Sequence, residues 1–261
     1  MSICGALRTD TGKVRAKNED ASGFFPEAAF FIVADGMGGH MGGEVASTLT
    51  VETMHVALQE TQGEDLTPIT TQNGWCSVAG RRLFLALQRA NHKVFEKSQQ
   101  DPSLNGMGTT VAAVLFDRDE SVASICHVGD SRVYRIRNHQ IECLTEDHSL
   151  VQQLLREGKI RPQDVKTSPH RHILTQAVGV GPLVQPTVRL ERPETGDIYL
   201  LCSDGIHGVI DDDMLLQLTL QNYPDLQKTC DALVNLANER GGRDNSTVIL
   251  LSYDEGSTVQ H

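Results

Sequence analysis

Three aspartates in this chain share one local grammar: each closes an apolar run and each has a glycine beside it. They lie in Phe30-Phe31-Ile32-Val33-Ala34-Asp35-Gly36, Leu200-Leu201-Cys202-Ser203-Asp204-Gly205 and His127-Val128-Gly129-Asp130-Ser131. A carboxylate at the end of a buried strand is held rigidly at the rim of a sheet, and the glycine lets the backbone turn tightly and approach a ligand. Solvated aspartates need no such placement, so the three are expected to converge. Carboxylates gathered at one point repel one another and raise each other's pKa unless cations neutralise them, which points to hard divalent metals. Magnesium and manganese both suit oxygen ligands. Two further segments fit the same site: Arg15-x-x-Asn18-Glu19-Asp20 and Gly241-Gly242-Arg243-Asp244-Asn245-Ser246. The planar fork of arginine suits a phosphate held at two oxygens.

Taken in order, Arg15 to Asp20, Ala34-Asp35-Gly36-Met37-Gly38-Gly39-His40, Met107-Gly108-Thr109-Thr110, Val128-Gly129-Asp130-Ser131-Arg132, Ser203-Asp204-Gly205 and Gly242-Arg243-Asp244-Asn245 span nearly the whole chain. This ordered set resembles the bacterial branch of the type 2C, metal-dependent protein phosphatase family. The resemblance implies hydrolysis of phosphoserine and phosphothreonine in proteins, opposing a serine/threonine kinase in signalling. It implies two core Mn2+ or Mg2+ ions and a third, weaker one. Asp35 would bridge the core pair and Gly36 would offer its carbonyl, while Asp204 and Asp244 complete the first ion's shell. Asp20, with Glu19 beside it, would hold the second ion through water, Asp130 would share the third with Asp204, and Arg15 would bind phosphate. A water bridging two such ions ionises near neutral pH and can attack phosphorus in line with the leaving oxygen. The implied fold is α+β, a central β-sandwich of two antiparallel sheets flanked by α-helices. One departure stands out: eukaryotic members carry a histidine, a proposed proton donor, where this chain has Met37. His40 and a metal-bound water are the candidates left for the general acid.

The elements that must position these residues are legible in part. Short β-rich runs at Phe30–Ala34, Thr110–Phe116, Val122–Val128, Arg132–Arg137, Ile198–Cys202 and Thr247–Leu251 read as strands, several too continuously apolar to have a wet face. Helical spacing appears in Leu83, Leu87, Ala90 and Val94, in Leu226, Cys230, Leu233 and Ala237, and in Ala46, Leu49, Thr53 and Val56. Helices in blocks and strands in succession favour antiparallel sheets covered by helices. Residues 148–172 interrupt the pattern with a short helix at Leu150–Leu155, then Gly158, Pro162 and Pro169. They read as a flap inserted between strands, whose closing His170 and His172 could face the site; His172 is the candidate substrate contact. Thr61 to Gly74 is the weakest point of the chain. Residues 1–254 are expected to form one catalytic domain and 255–261 a frayed tail.

Composition narrows the alternatives. The 261 residues are 39% hydrophobic and 22% charged, near the globular average, with a formal net charge of −11. Such an excess of acid opposes nonspecific nucleic-acid binding, and it accommodates an anionic substrate only if local cations reverse the sign. The start lacks the apolar run of a secretory signal and no segment approaches a membrane span, so a cytoplasmic, monomeric protein acting on phosphoproteins is expected, with no nucleic acid and no membrane as partner. Six scattered cysteines form no C-x-x-C pair and read as buried reduced thiols. Asp211-Asp212-Asp213 precedes an apolar helix and reads as a cap. The glycine loop lacks the Gly-Lys-Ser/Thr of a Walker site, and Met41 stands where a dinucleotide fingerprint needs glycine. Two other functions share much of this pattern: a catalytically silent phosphoprotein binder, which would be expected to lack a metal aspartate, and a hydrolase of small phosphate esters.

Overall fold

Apolar residues on both faces of a strand require cover on both sides, and the chain meets this with four layers. The computed structural model describes residues 1–38, 42–62, 69–71, 74–165 and 167–255. Its strands are β1 (Ser2–Asp10), β2 (Asp20–Phe25), β3 (Phe30–Met37), β4 (Ile69–Thr71), β5 (Gly74–Cys76), β6 (Gly108–Thr109), β7 (Val111–Asp117), β8 (Val122–Val128), β9 (Arg132–Arg137), β10 (Gln140–Cys143), β11 (Thr187–Glu191), β12 (Ile198–Cys202) and β13 (Ser246–Asp254). Its helices are α1 (Gly42–Glu60), α2 (Val78–Gln100), α3 (Leu150–Arg156), α4 (Asp204–His207), α5 (Asp212–Asn222) and α6 (Leu226–Glu239).

Two antiparallel sheets form the sandwich, one in the order β1-β13-β12-β9-β10 and the other β11-β8-β7-β3-β2, with β6 paired to β3. Period-two alternation divides each central strand between two cores. In β3, Phe31 and Val33 enter the core between the sheets with Ile125, Tyr199, Leu201 and Ile249. Phe30, Ile32 and Ala34 turn instead to the helix layer of α1 and α2, where Leu83, Leu87, Ala90 and Val94 are fully buried. On the opposite side Leu200, Cys202, Val248 and Leu250 meet Leu226, Cys230, Leu233 and Ala237 of α6. The arrangement is α+β, a β-sandwich between helices.

Details depart from the sequence expectation in three places. In α1 the buried stripe runs through Ala46, Thr50, Met54 and Ala57, while Val56 is 44% exposed. The helix is apolar on more than one side, so packing against β3 rather than periodicity selects its inner face. Among the cysteines Cys4 is exposed and Cys143 half-buried; the other four are buried, and all six are free thiols. In the Thr61–Gly74 stretch, residues 63–68 and 72–73 lie outside the described residues, and β4 pairs antiparallel with β5. The expected tail falls outside them from residue 256 onward. Asp211 caps α5 as expected, its side chain accepting from Met214 N at 3.0 Å.

The excursion after β10 begins with α3, capped by Ser149, and returns to the sheet at β11. Its neck is closed by two backbone bonds, Leu150 N to Ile173 O and Thr175 N to His148 O, both 2.8 Å. His148 N also donates to Gly129 O at 2.8 Å, which ties the neck to the residue preceding Asp130. Among the described residues no helix is long and apolar enough to cross a membrane.

Candidate metal centre

The ends of β3, β8 and β12 and the start of β13 deliver their carboxylates to one cleft of about 550 Å³. Arg15, Glu19, Asp35, Gly36, Asp130, His172, Asp204 and Asp244 all line it. Asp20 stands behind the wall, opposite Asp35 in the β2–β3 register. His40 lies outside the described residues.

Asp35 is held from both sides of its peptide: its N–H donates to Thr110 Oγ1 at 3.0 Å, and its carbonyl accepts from Thr110 N and Thr109 Oγ1, each at 2.9 Å. Thr110 Oγ1 is in turn 2.6 Å from Ser131 Oγ, linking the Asp35 and Asp130 loops. The Met107–Thr110 motif thus acts structurally, as β6 and the lead into β7. Glycine is required where backbones meet. A Cβ on Gly36 would stand 2.2 Å from Gly43 O, and one on Gly205 would stand 1.8 Å from Asn245 O. Only a residue without a side chain lets α4 carry Asp204 against the Asp244-Asn245 segment that leads into β13.

Burial and mutual repulsion dominate the electrostatics. Asp35 is pushed well above the usual carboxylate range, first by burial and then by the charges of Asp20, Asp204, Asp130 and Asp244. Asp20 rises to about 6, raised by burial, opposed by hydroxyl bonds from Thr247 and Ser203, and raised again by Asp204 and Asp244. Asp130 rises to about 7 through burial and the charges of Asp204 and Asp147. Asp204 is raised too, by burial and then Asp244. Asp20 Oδ2 accepts from Thr247 Oγ1 at 2.7 Å and Ser203 Oγ at 2.8 Å, whereas buried Oδ1 finds no hydrogen-bond partner among the described residues. Among the described residues no three acidic, histidine or cysteine side chains already close around a single point. The donor set fits hard divalent cations nonetheless: it is all oxygen, it repels itself, and it holds one buried oxygen without a donor.

A sequence model described as protein phosphatase 2C matches residues 12–247. The chain belongs to the protein phosphatase 2C family. The serine/threonine phosphatase stp of Listeria monocytogenes serotype 4b (strain F2365) is 37% identical over 251 residues, which cover 95% of this chain and 95% of that protein. The serine/threonine protein phosphatase PstP of Mycobacterium tuberculosis (strain ATCC 25618 / H37Rv) is 35% identical over 256 residues, 97% of this chain and 46% of that protein. A crystal structure of the M. tuberculosis phosphatase PstP/Ppp superimposes with a TM-score of 0.85 at 32% identity, covering 97% of this chain and 100% of the other. The PstP catalytic domain in complex with two manganese ions gives a TM-score of 0.81 at 32% identity, covering 96% and 97%.

In this 2C-family site the structure adds residues to which sequence reasoning gave no role. Asn245 Oδ1 accepts from Glu19 N at 2.8 Å, and its Nδ2 donates to Thr11 O at 3.0 Å and Lys17 O at 2.9 Å. One side chain therefore pins both ends of the loop that presents Arg15. Arg15 itself is half-exposed and donates Nη2 to Asp244 Oδ2 at 2.9 Å, so the predicted phosphate ligand also braces a predicted metal ligand. His207 donates Nε2–H to the Asp130 carbonyl at 2.9 Å. These roles connect residues far apart in sequence, and only the Asp244-Asn245 adjacency hinted at one of them. Met37 lines the cleft without a titratable group, while exposed His172 reaches the rim from the flap.

Proposed function

We propose that this chain is a serine/threonine protein phosphatase dependent on manganese or magnesium, with residues 1–254 as one catalytic domain. The observation that carries the reading is the set of buried, mutually repelling carboxylates around one cleft, with Asp20 Oδ1 left without a donor. Asp35, Asp204, Asp244 and the Gly36 carbonyl would hold one core ion, Asp35 would share the second with Asp20 and Glu19, and Asp130 with Asp204 would take a weaker third. Bound there, the ions supply positive charge for the phosphoryl oxygens and acidify a water to serve as nucleophile. The chain's own residues do the rest. Arg15 offers a two-pronged donor to the phosphate at the cleft mouth, Asn245 fixes the loop that aims it, and His172 contacts the substrate at the flap rim. The two manganese ions in the PstP structure support the ion count, and the stp and PstP relatives support phosphorylated serine and threonine in proteins as substrates, the products of a serine/threonine kinase.

The test is turnover of a phosphothreonine peptide before and after chelation. Chelated protein should be inactive and added manganese should restore it; full activity in a metal-free preparation would sink the reading. Rates on a nucleotide and on p-nitrophenyl phosphate, measured alongside, separate a protein phosphatase from a hydrolase of small esters.

A further inference from the structure

A second cavity, of about 300 Å³, opens off the metal cleft beneath the flap and shares Asp130, His172 and Asp204 with it. The flap supplies one wall through Val151 and Val165, and the turn from α4 to α5 supplies the facing wall through Val209 and Ile210. Its polar groups are largely spoken for. The Arg132 fork lies on Asp147, Nε to Oδ1 at 2.9 Å and Nη2 to Oδ2 at 2.8 Å, so the two charges compensate each other. His207 spends its Nε2–H on the Asp130 carbonyl, and Asp211 Oδ1 caps α5. What remains for an occupant is mainly aliphatic, with Val209 38% exposed on one side and Val165 part-exposed on the other, while the exposed Arg171 and His172 line it from the flap. The volume lies at the small end of ligand pockets and suits a single side chain.

Continuity with the cleft decides the occupant. An extended chain advances about 3.3 to 3.6 Å per residue, so a substrate whose phosphorylated residue sits over Asp35 and Asp204 carries its next residues across the shared wall. We infer that this groove is a specificity pocket, receiving an aliphatic or aromatic side chain one or two residues from the phosphorylated serine or threonine. The inference rests on the phosphatase reading above. It assigns selection to the space between the flap and the α4–α5 turn, and assigns phosphate capture to Arg15.

The experiment uses the manganese-loaded full chain and a set of phosphothreonine peptides. In each, one leucine replaces serine at one of the two positions before or after the phosphothreonine. Leucine at one of these positions should raise kcat/KM about tenfold to a hundredfold, the factor expected for withdrawing one aliphatic side chain from water. In Val209→Asp and Val165→Asp, placed on opposite walls, that preference should fall away while p-nitrophenyl phosphate, too small to reach the groove, is hydrolysed as by the wild type. Its turnover also reports that both variants are folded. A flat peptide profile in the wild type overturns the proposal, and so does a leucine preference kept by both variants, or a loss on the small ester that parallels the peptides. A wild type inert on every substrate is a different result, and it overturns the phosphatase reading itself.

Discussion

Asp35 and Asp204 both line the metal cleft, and both carboxyls are raised by burial first. Replacing either by asparagine keeps the shape and removes a charge that the fold itself resists. Turnover in Asp35→Asn and Asp204→Asn is therefore expected to vanish at saturating manganese, while the melting temperature of the chelated protein stays at or above the wild-type value. Wild-type turnover in either variant would falsify the ligand assignment. Arg15 poses a different question, because its guanidinium faces the cleft and also braces Asp244. Arg15→Lys keeps the charge and loses the planar fork, so binding of every phosphorylated substrate should weaken by about 1.5 to 3 kcal/mol, small esters included. KM values for p-nitrophenyl phosphate and two phosphopeptides measure it, and a loss confined to one peptide would contradict the assignment.

At the scale of elements, the site is assembled by a few side chains that join loops to strand ends. Asn245 joins the loop from Thr11 to Glu19 to β13 through three hydrogen bonds. Asn245→Ala strands one donor and two acceptors, and at about 1 kcal/mol net per bond it should cost about 2 to 4 kcal/mol of stability. The released loop should also raise KM more than it lowers kcat, because Arg15 is aimed by that loop. Asn245→Asp keeps an acceptor for Glu19 N and loses both donors, so it should fall between the wild type and alanine. Urea titrations give the first quantity and steady-state kinetics the second; an alanine variant as stable as the wild type would show that the loop is held by other means.

At the scale of the whole molecule, buried carboxylates and buried imidazoles pull stability in opposite directions with pH. Asp20 and Asp130 titrate at about 6 and about 7 in the fold, above their ordinary value of 3.8, so the stability they contribute is complete below that value and is lost as pH rises through 6 to 7. Burial lowers His127, pushes His148 down to about 4 with help from His127, and pushes His207 down to about 3 with help from Arg132. Their contribution is complete above 6.5 and is lost as pH falls below it. The two sets oppose each other below 6.5, and from there to about 7 the carboxylates act alone. The chelated protein should therefore melt at a lower temperature as pH rises from 6.5 through about 7 and level off above that, and saturating manganese should flatten the fall by holding the carboxylates ionised. Calorimetry at pH 6.5, 7.2 and 8 with and without chelator decides it; a chelated protein whose melting temperature holds or rises between the first two pH values would refute the electrostatic account.

The six strands readable from short β-rich runs, β3, β7, β8, β9, β12 and β13, all lie inside the sheets. A strand covered on both faces is apolar along most of its length, a property carried by its own residues, and β8 and β12 begin and end where the runs do; β9 matches its run too, but its three arginines are paired with Asp147, Glu191 and Asp197. Among the strands that the sequence left unread, β1, β2, β10 and β11 are the four edges of the two large sheets. Their composition is mixed because one side meets solvent, and they become strands through partners elsewhere in the chain, as Ser2 does opposite Asp254. The site divides in the same way. That Asp35, Asp130 and Asp204 stand at strand ends beside glycine is local, and the sequence alone determined it. That Asn245 pins the Arg15 loop, that Arg15 leans on Asp244, that α1 buries Met54 in place of Val56, and that a groove opens between the flap and the α4–α5 turn were decided by tertiary structure, because each depends on groups brought together by packing rather than by spacing along the chain.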